Sequence, residues 1–294
     1  MRPTSFVVPV PPSSLDACLQ DWLREDIGRG DWTTAGLGPL VQGPGKAIWV
    51  ARAPGVMAGL PLAAAVFRRL DSDVAFHPLV AEGEACAEGT SLATITGSLA
   101  ALLSGERVAL NLVMRLSGIA TATRQYVDCL ADCPTQFVDT RKTTPGLRQL
   151  EKYASRVGGA VNHRLGLDDA VMIKDNHIAA AGGIRAAVTH IRAAIPYPMT
   201  VEVETASLEQ VEEALDCPID IVMLDNMSLE MMKAAVGRIR ARRPDLKIEA
   251  SGNVTQERLA AIAATGVDFI SSSAPVTRAP WLDISMQIVS SEAG

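Results

Sequence analysis

The chain has 294 residues, 48% of them apolar and 20% charged, and its formal net charge is −6. That length allows two domains, or one large barrel with additions, and it can bury a core without disulfide or metal staples. The acidic balance argues against a nucleic-acid or anionic-membrane binder, whose footprint is a basic excess, but it leaves room for a local basic pocket.

The N-terminal stretch MRPTSFVVPVPPSS is cut by prolines. It lacks the long apolar segment of a signal peptide, so a cytoplasmic protein is expected. No apolar run approaches the ~18 residues of a membrane span. Five cysteines are scattered along the chain (Cys18, Cys86, Cys129, Cys133, Cys217), and the histidines form no HxxxH or HxH pair. Reduced structural thiols are the expectation, not a zinc site.

Leu15, Leu19, Trp22 and Leu23 share one helical face, so a helix is expected over 15–25. KAIWVAR (46–52) reads as a strand and LPLAAAVFRRL (60–70) as a helix. VAFHPLVAEGEACAEGTSLATITG alternates β-rich pieces with glycine turns, which predicts a small antiparallel sheet. There is no lysine between Lys46 and Lys142, which excludes a swinging-arm carrier in this stretch. A helix is expected from Ser104, with Ser104 as its N-cap, Glu106 and Arg107 in its first turn, and a stripe of Val108, Leu112, Leu116 and Ile119.

Beyond it the beat becomes regular. β-rich pieces fall at 135–140, 170–175, 200–204, 219–225, 247–251 and 268–273, with helix-like segments between them. Such alternation means βα units and a parallel sheet. Six units fit an incomplete barrel. An open doubly wound sheet is the alternative, but no GxGxxG or GxxxxGK[ST] follows a strand.

In a parallel barrel, functional groups gather at the carboxyl ends of strands. Those ends carry Asp139, Arg141 and Lys142; Lys174 and His177; Glu204; Asp225; Glu249, Ser251 and Gly252; and Ser271, Ser272 and Ser273. His163 and Arg164 lie in an intervening segment. A single lysine or arginine is ordinarily a solvated charge, and a strand-end acid is often just a helix cap. Charges of both signs closing successive apolar strands are expensive to bury unless they serve a ligand or one another. Seven Lys or Arg against five Asp or Glu within 139–175 suit an anionic substrate. Arginine grips carboxylate or phosphate bidentately, and lysine acts as a point charge. Facing carboxylates suit Mg²⁺ beside a phosphate, and the Ser/Gly segments suit the phosphate itself.

The block DTRKTTPGLRQLEKYASRVGGAVNHRLGLDDAVMIKDNHI (139–178) resembles quinolinate phosphoribosyltransferases. The likeness continues through EDIGRGDWTT, GERVALNLVMRLSGIAT, VEVETASLEQ, IVMLDNMS, IEASGNV and WLDISM, and so spans nearly the whole chain. It implies an α/β protein with an N-terminal α/β sandwich domain (1–115, plus the tail 279–294) and an incomplete (β/α) barrel of about six parallel strands (116–278). It implies decarboxylating phosphoribosyl transfer from phosphoribosyl pyrophosphate to quinolinate with Mg²⁺, in NAD biosynthesis. It also implies a homodimer with shared sites, or a larger assembly of such dimers.

Carried over by position, Arg141, His163, Arg164 and Lys174 would hold the quinolinate carboxylates, joined by Arg107 from the neighbouring subunit. Lys142, Glu204 and Asp225 would serve catalysis, Glu204 and Asp225 as metal ligands. Ser251, Gly252 and Ser273 would cradle phosphate. There is one departure. Relatives usually carry a Val-Gly-Ala-Leu-Thr-His-like stretch after the last barrel strand, where this chain reads SSSAPVTRAP, with Thr277 where histidine is common. Two other readings follow from single features: a Schiff-base aldolase using Lys174, and a non-catalytic paralogue binding a pyridine acid or phosphate through the altered segment.

Overall fold

A computed structural model describes residue 8 and residues 10–289. Residues 1–7 and 9 of the proline-cut N-terminal stretch, and residues 290–294 of the expected tail, lie outside the described residues. In chain order the regular elements begin with α1 (Pro12–Ile27), α2 (Trp32–Leu37), β1 (Pro44–Ala51), β2 (Gly55–Val56), α3 (Leu60–Leu70), β3 (Ala75–Pro78), β4 (Ala85–Cys86), β5 (Ser91–Ser98) and α4 (Leu99–Asp128). Then come β6 (Gln136–Val138), α5 (Arg148–Gly158), β7 (Val171–Ile173), α6 (Asp175–Ala181), α7 (Ile184–Ala194), β8 (Val201–Thr205) and α8 (Leu208–Leu215). The chain closes with β9 (Ile221–Asp225), α9 (Leu229–Arg242), β10 (Lys247–Ser251), α10 (Gln256–Ala263), β11 (Phe269–Ser271), α11 (Ala274–Thr277) and β12 (Ile284–Val289).

Two compact units divide these elements. The first takes the described residues up to Arg124, together with Gln149–Gly159 and those from Arg278 on. The second takes Gln125–Arg148 and Ala160–Thr277.

The first unit is built on an antiparallel sheet of order β12-β1-β5-β3. β1 is the centre because AIWVA alternates: Ala47, Trp49 and Ala51 are fully buried while their neighbours are not. Trp49 packs edge-on against Phe67 of α3 and Phe76 of β3, with centroids 6.2 and 5.5 Å away. The returning C-terminal chain supplies β12, paired in register Trp49↔Met286. The expected β-rich stretch splits: β3 joins β5, but β4 pairs with β2 in a separate ribbon.

The helix expected from Ser104 begins five residues earlier, at Leu99, and runs for 30 residues. The segment LAALL continues the helical pattern upstream. Ser98 stands at the entry, with its Oγ 3.5 Å from the Ala101 amide. Ser104 is therefore an interior residue, and its hydroxyl donates to Asp31 Oδ2 at 2.8 Å.

The second unit is a six-stranded sheet of order β6-β11-β10-β9-β8-β7 in which every strand pair is parallel. A doubly wound sheet reverses its strand order at a switch point. Here the order is cyclic, the first strand lying beside the last, so the sheet is a barrel open between β6 and β7. The two faces of each strand differ. Val201, Val203, Val222, Leu224, Ile248, Ala250 and Ile270 belong to the apolar core shared with the surrounding helices. The alternate positions, 202/204, 223/225, 249/251 and 271, face the other way, into the barrel. That alternation delivers polar side chains to one enclosed place.

Candidate active site

A cavity of about 560 Å³ opens at the carboxyl ends of the strands. Its lining includes Arg141, Lys142, His163, Arg164, Lys174, Glu204, Asp225, Glu249, Ser251 and Gly252, together with Ser271. The structure thus brings together nine of the sequence-derived site residues from five strand ends and one loop. Two lie outside the lining: Arg107, exposed on α4 in the first unit, and Ser273, at the head of α11. Ser273 offers its carbonyl to the Val276 and Thr277 amides.

The cationic side is Arg141, Arg164, Lys142 and Lys174. Arg141 Nε is buried and has no hydrogen-bond partner among the described residues. Arg164 anchors one guanidinium nitrogen on the Ala170 carbonyl at 2.8 Å. Burial and the neighbouring Arg141 charge draw its ionisation down. Two guanidiniums this close repel each other and are stabilised by an anion between them.

The acidic side is Glu204 and Asp225. Lys174 Nζ lies 2.7 Å from Glu204 Oε2. That contact engages the amine with a carboxylate, whereas a Schiff-base nucleophile needs a free amine. Burial, then the Glu204 charge, raises the Asp225 carboxyl above its ordinary range, against the hydrogen bond from Asn226 and the charges of Lys174 and Lys142.

The mouth between β9 and β10 is latched by backbone that favours glycine or asparagine. Asn226 and Asn253 have φ of 54° and 51°, and Gly252 has φ of 86°. A Cβ on Gly252 would stand 2.2 Å from Asn226 Oδ1. The Asn226 amide donates to Ser251 O (2.9 Å), Asn253 Nδ2 donates to Asn226 Oδ1 (3.1 Å), and Asn226 Nδ2 donates to Asp225 Oδ2 (2.7 Å). Asn226 therefore both shapes the mouth and orients Asp225.

Three acids matter more to the site than their places in the sequence suggest. Asp139 is 2% exposed and receives the His163 amide (2.8 Å) and Asn162 Nδ2 (2.6 Å), so it holds the 162–163 segment and does not line the cavity. Glu202, 2% exposed, lies with Glu249 beside His163: Nε2 is 3.0 Å from Glu202 and 3.5 Å from Glu249. The signal for Glu202 was present in VEVET, since residues two apart on a strand share a face and Glu204 already faced inward. Burial opposes charge on His163, but hydrogen bonding to the two carboxylates and their negative charge outweigh it and push its ionisation up to about 10.

The chain matches the models of the quinolinate phosphoribosyl transferase N-terminal domain over residues 31–117 and C-terminal domain over residues 119–287. The chain belongs to the quinolinate phosphoribosyltransferase family. It is 63% identical to a probable nicotinate-nucleotide pyrophosphorylase [carboxylating] of Synechocystis sp., over 94% of this chain and 92% of that one. It is 38% identical to the human nicotinate-nucleotide pyrophosphorylase [carboxylating], over 96% and 94%. Its fold superposes on NadC from Streptococcus pyogenes with a TM-score of 0.90 at 41% identity, covering 95% of this chain and 98% of that one. The sandwich-plus-barrel architecture expected of a quinolinate phosphoribosyltransferase is the one observed. Among the described residues no helix is long and apolar enough to cross a membrane, and all five cysteines are free.

Proposed function

We propose that this quinolinate phosphoribosyltransferase joins quinolinate to phosphoribosyl pyrophosphate, releasing pyrophosphate and CO₂ and leaving nicotinate mononucleotide for NAD synthesis. The observation that carries the reading is the buried, unpartnered Nε of Arg141 beside Arg164 in a cavity with carboxylates on its far side. A pyridine dicarboxylate supplies the missing acceptors. A monoacid leaves one cation cluster unmatched, which gives the site its selectivity.

Arg141, Arg164, His163 and Lys174 orient the dicarboxylate with its ring nitrogen towards the ribose. As the bond from the anomeric carbon to pyrophosphate breaks, positive charge develops on the ribose, and the fixed carboxylates of Glu204 and Asp225 stabilise it. Lys142 faces the leaving pyrophosphate. The ring nitrogen takes the anomeric carbon. The adjacent carboxylate then leaves as CO₂, its electron pair held on the ring carbon beside the cationic nitrogen until a proton replaces it. Positioning and charge perform the work, without a covalent nucleophile.

Glu204 and Asp225 are oxygen donors whose negative charges oppose each other, and they fit Mg²⁺. When bound, the ion supplies charge neutralisation for the pyrophosphate. Ser251 and Gly252, which line the cavity with Ser271, serve the phosphate. The reading extends to a cytoplasmic homodimer in which Arg107 enters the neighbour's site; its exposure on α4 supports this. Formation of nicotinate mononucleotide from quinolinate, phosphoribosyl pyrophosphate and Mg²⁺, followed by ultraviolet absorbance with nicotinate as control, tests the activity. Absence of product, or equal use of nicotinate, overturns it. Mixing Arg107→Ala with Arg141→Ala subunits tests the shared site, because one intact site per mixed dimer restores turnover.

A further inference from the structure

Two carboxylates, one of them Glu249 in the cavity lining, play no part in the chemistry above. Glu202 and Glu249 are 2% and 3% exposed, and the Oε1 atom of each has no hydrogen-bond partner among the described residues. Burying two carboxylates is costly unless the arrangement compensates. Both converge on one imidazole, with Nε2 of His163 3.0 and 3.5 Å from their Oε2 atoms. The same imidazole receives the Arg164 amide on Nδ1 at 2.7 Å. The His163 amide is tied to Asp139 at 2.8 Å. The 162–164 segment is thereby strapped to β8, to β10 and to the end of β6, and its last residue carries a guanidinium into the cavity.

The three donors lie close enough to suggest a metal ion, their ligand atoms all within 4.8 Å of one another. The Nδ1 contact argues otherwise. A histidine that binds metal through Nε2 donates from Nδ1, whereas here Nδ1 accepts. Nε2 and its hydrogen face the carboxylates.

We propose that Glu202 and Glu249 are positioning residues that act through His163, holding the 162–164 segment so that Arg164 meets a carboxylate of the pyridine dicarboxylate. This rests on the reading of the site given above. The test is the pair of variants Glu202→Gln and Glu249→Gln, each also made in a His163→Asn background. In the single variants the KM for quinolinate should rise at least about tenfold, the scale on which a misplaced clamp costs binding. The KM for phosphoribosyl pyrophosphate should stay within about twofold, and in the His163→Asn background the same substitutions should change the quinolinate KM by less than about twofold.

Glu249→Gln, which removes only the 3.5 Å contact, carries the test if Glu202→Gln fails to fold. An unchanged quinolinate KM, equal losses for both substrates, or full losses in the His163→Asn background overturn the proposal. So does a transition-metal ion bound stoichiometrically to the wild type and lost in the variants. The wild-type control separates the two claims: if it forms no nicotinate mononucleotide, the proposed function fails. If it does while the variants bind quinolinate normally, only the positioning role fails.

Discussion

The two units bury polar groups in different ways. In the first unit the buried charges are matched nearby. Glu151, fully buried, meets Arg115 at 2.7 Å. Glu82 takes the Tyr153 hydroxyl at 2.5 Å and the Gly59 and Leu60 amides at 2.9 and 2.7 Å, capping α3 from a distance. The buried atoms left without partners there, Trp49 Nε1 and Thr123 Oγ1, are neutral. In the second unit, atoms without partners sit on ions: Arg141 Nε and one oxygen each of Glu202 and Glu249. A neutral orphan costs a little stability. A charged orphan costs much more, and it is retained where something in the working cycle answers it. The first unit should therefore fail through packing and the second through chemistry.

The sharpest way to break that contrast is Arg141→Ala. It should lower kcat/KM for quinolinate by about 100-fold or more, the scale of losing one side of a buried charge pair, with circular dichroism and unfolding temperature nearly unchanged. Near-normal turnover would return Arg141 to the status of a solvated cation and remove the main support for the site.

The next effect is on pH. His163 ionises at about 10 in the fold against an ordinary 6.5, so the bound proton favours the native state. That stabilisation is complete below 6.5 and is lost as pH rises through 10. The Arg164 amide on Nδ1 works against the second proton, so the gain is well below what so large a displacement would give unopposed. Unfolding free energies of wild type and His163→Asn, compared from about pH 6 to about pH 10, should converge as the pH rises. A constant gap would mean the histidine contributes by packing alone.

The counterpart in the first unit is Gly118→Ala. A Cβ there would stand 2.0 Å from the Pro280 carbonyl oxygen, and backbone on both sides leaves little to yield. Overpacking of this kind costs about 1–3 kcal/mol, read as a lower denaturation midpoint. The quinolinate KM of the folded fraction should not move, which would sharpen the separation between the units; a raised KM would blur it.

How much of this was legible in the sequence follows from the same physics. The six barrel strands could be read because each is a short apolar piece with glycine or a cap behind it, and the cavity could be read because charges stood at their ends. The start of α4 could not. Ser104 looks like an N-cap, but LAALL already carries the helix, and a distant partner, Asp31, claims the hydroxyl. Glu202 was hidden because VEVET invites attention to its last acid, although alternation places both on one face. Asn226 and Asn253 are residues that tolerate a left-handed backbone, but nothing in the local sequence requires it. Only the approach of β9 and β10 demands it.

The smallest expected effect concerns the departure SSSAPVTRAP. Ser271 reaches the cavity and Ser273 does not line it. Ser273 serves the start of α11 through its carbonyl, which any residue supplies; the Thr277 hydroxyl donates to that same oxygen at 3.1 Å. Glycine at this position keeps the carbonyl and adds backbone freedom, a cost of at most about 1 kcal/mol in the unfolded-state balance. Ser273→Gly should therefore leave the Kd for phosphoribosyl pyrophosphate within about twofold, measured by calorimetry in Mg²⁺. Loss of binding by about tenfold or more would place the Ser273 hydroxyl on the phosphate. In that case the serines would be this chain's own replacement for the glycine-containing stretch of its relatives, and the boundary of the site would move beyond β11, into the turn.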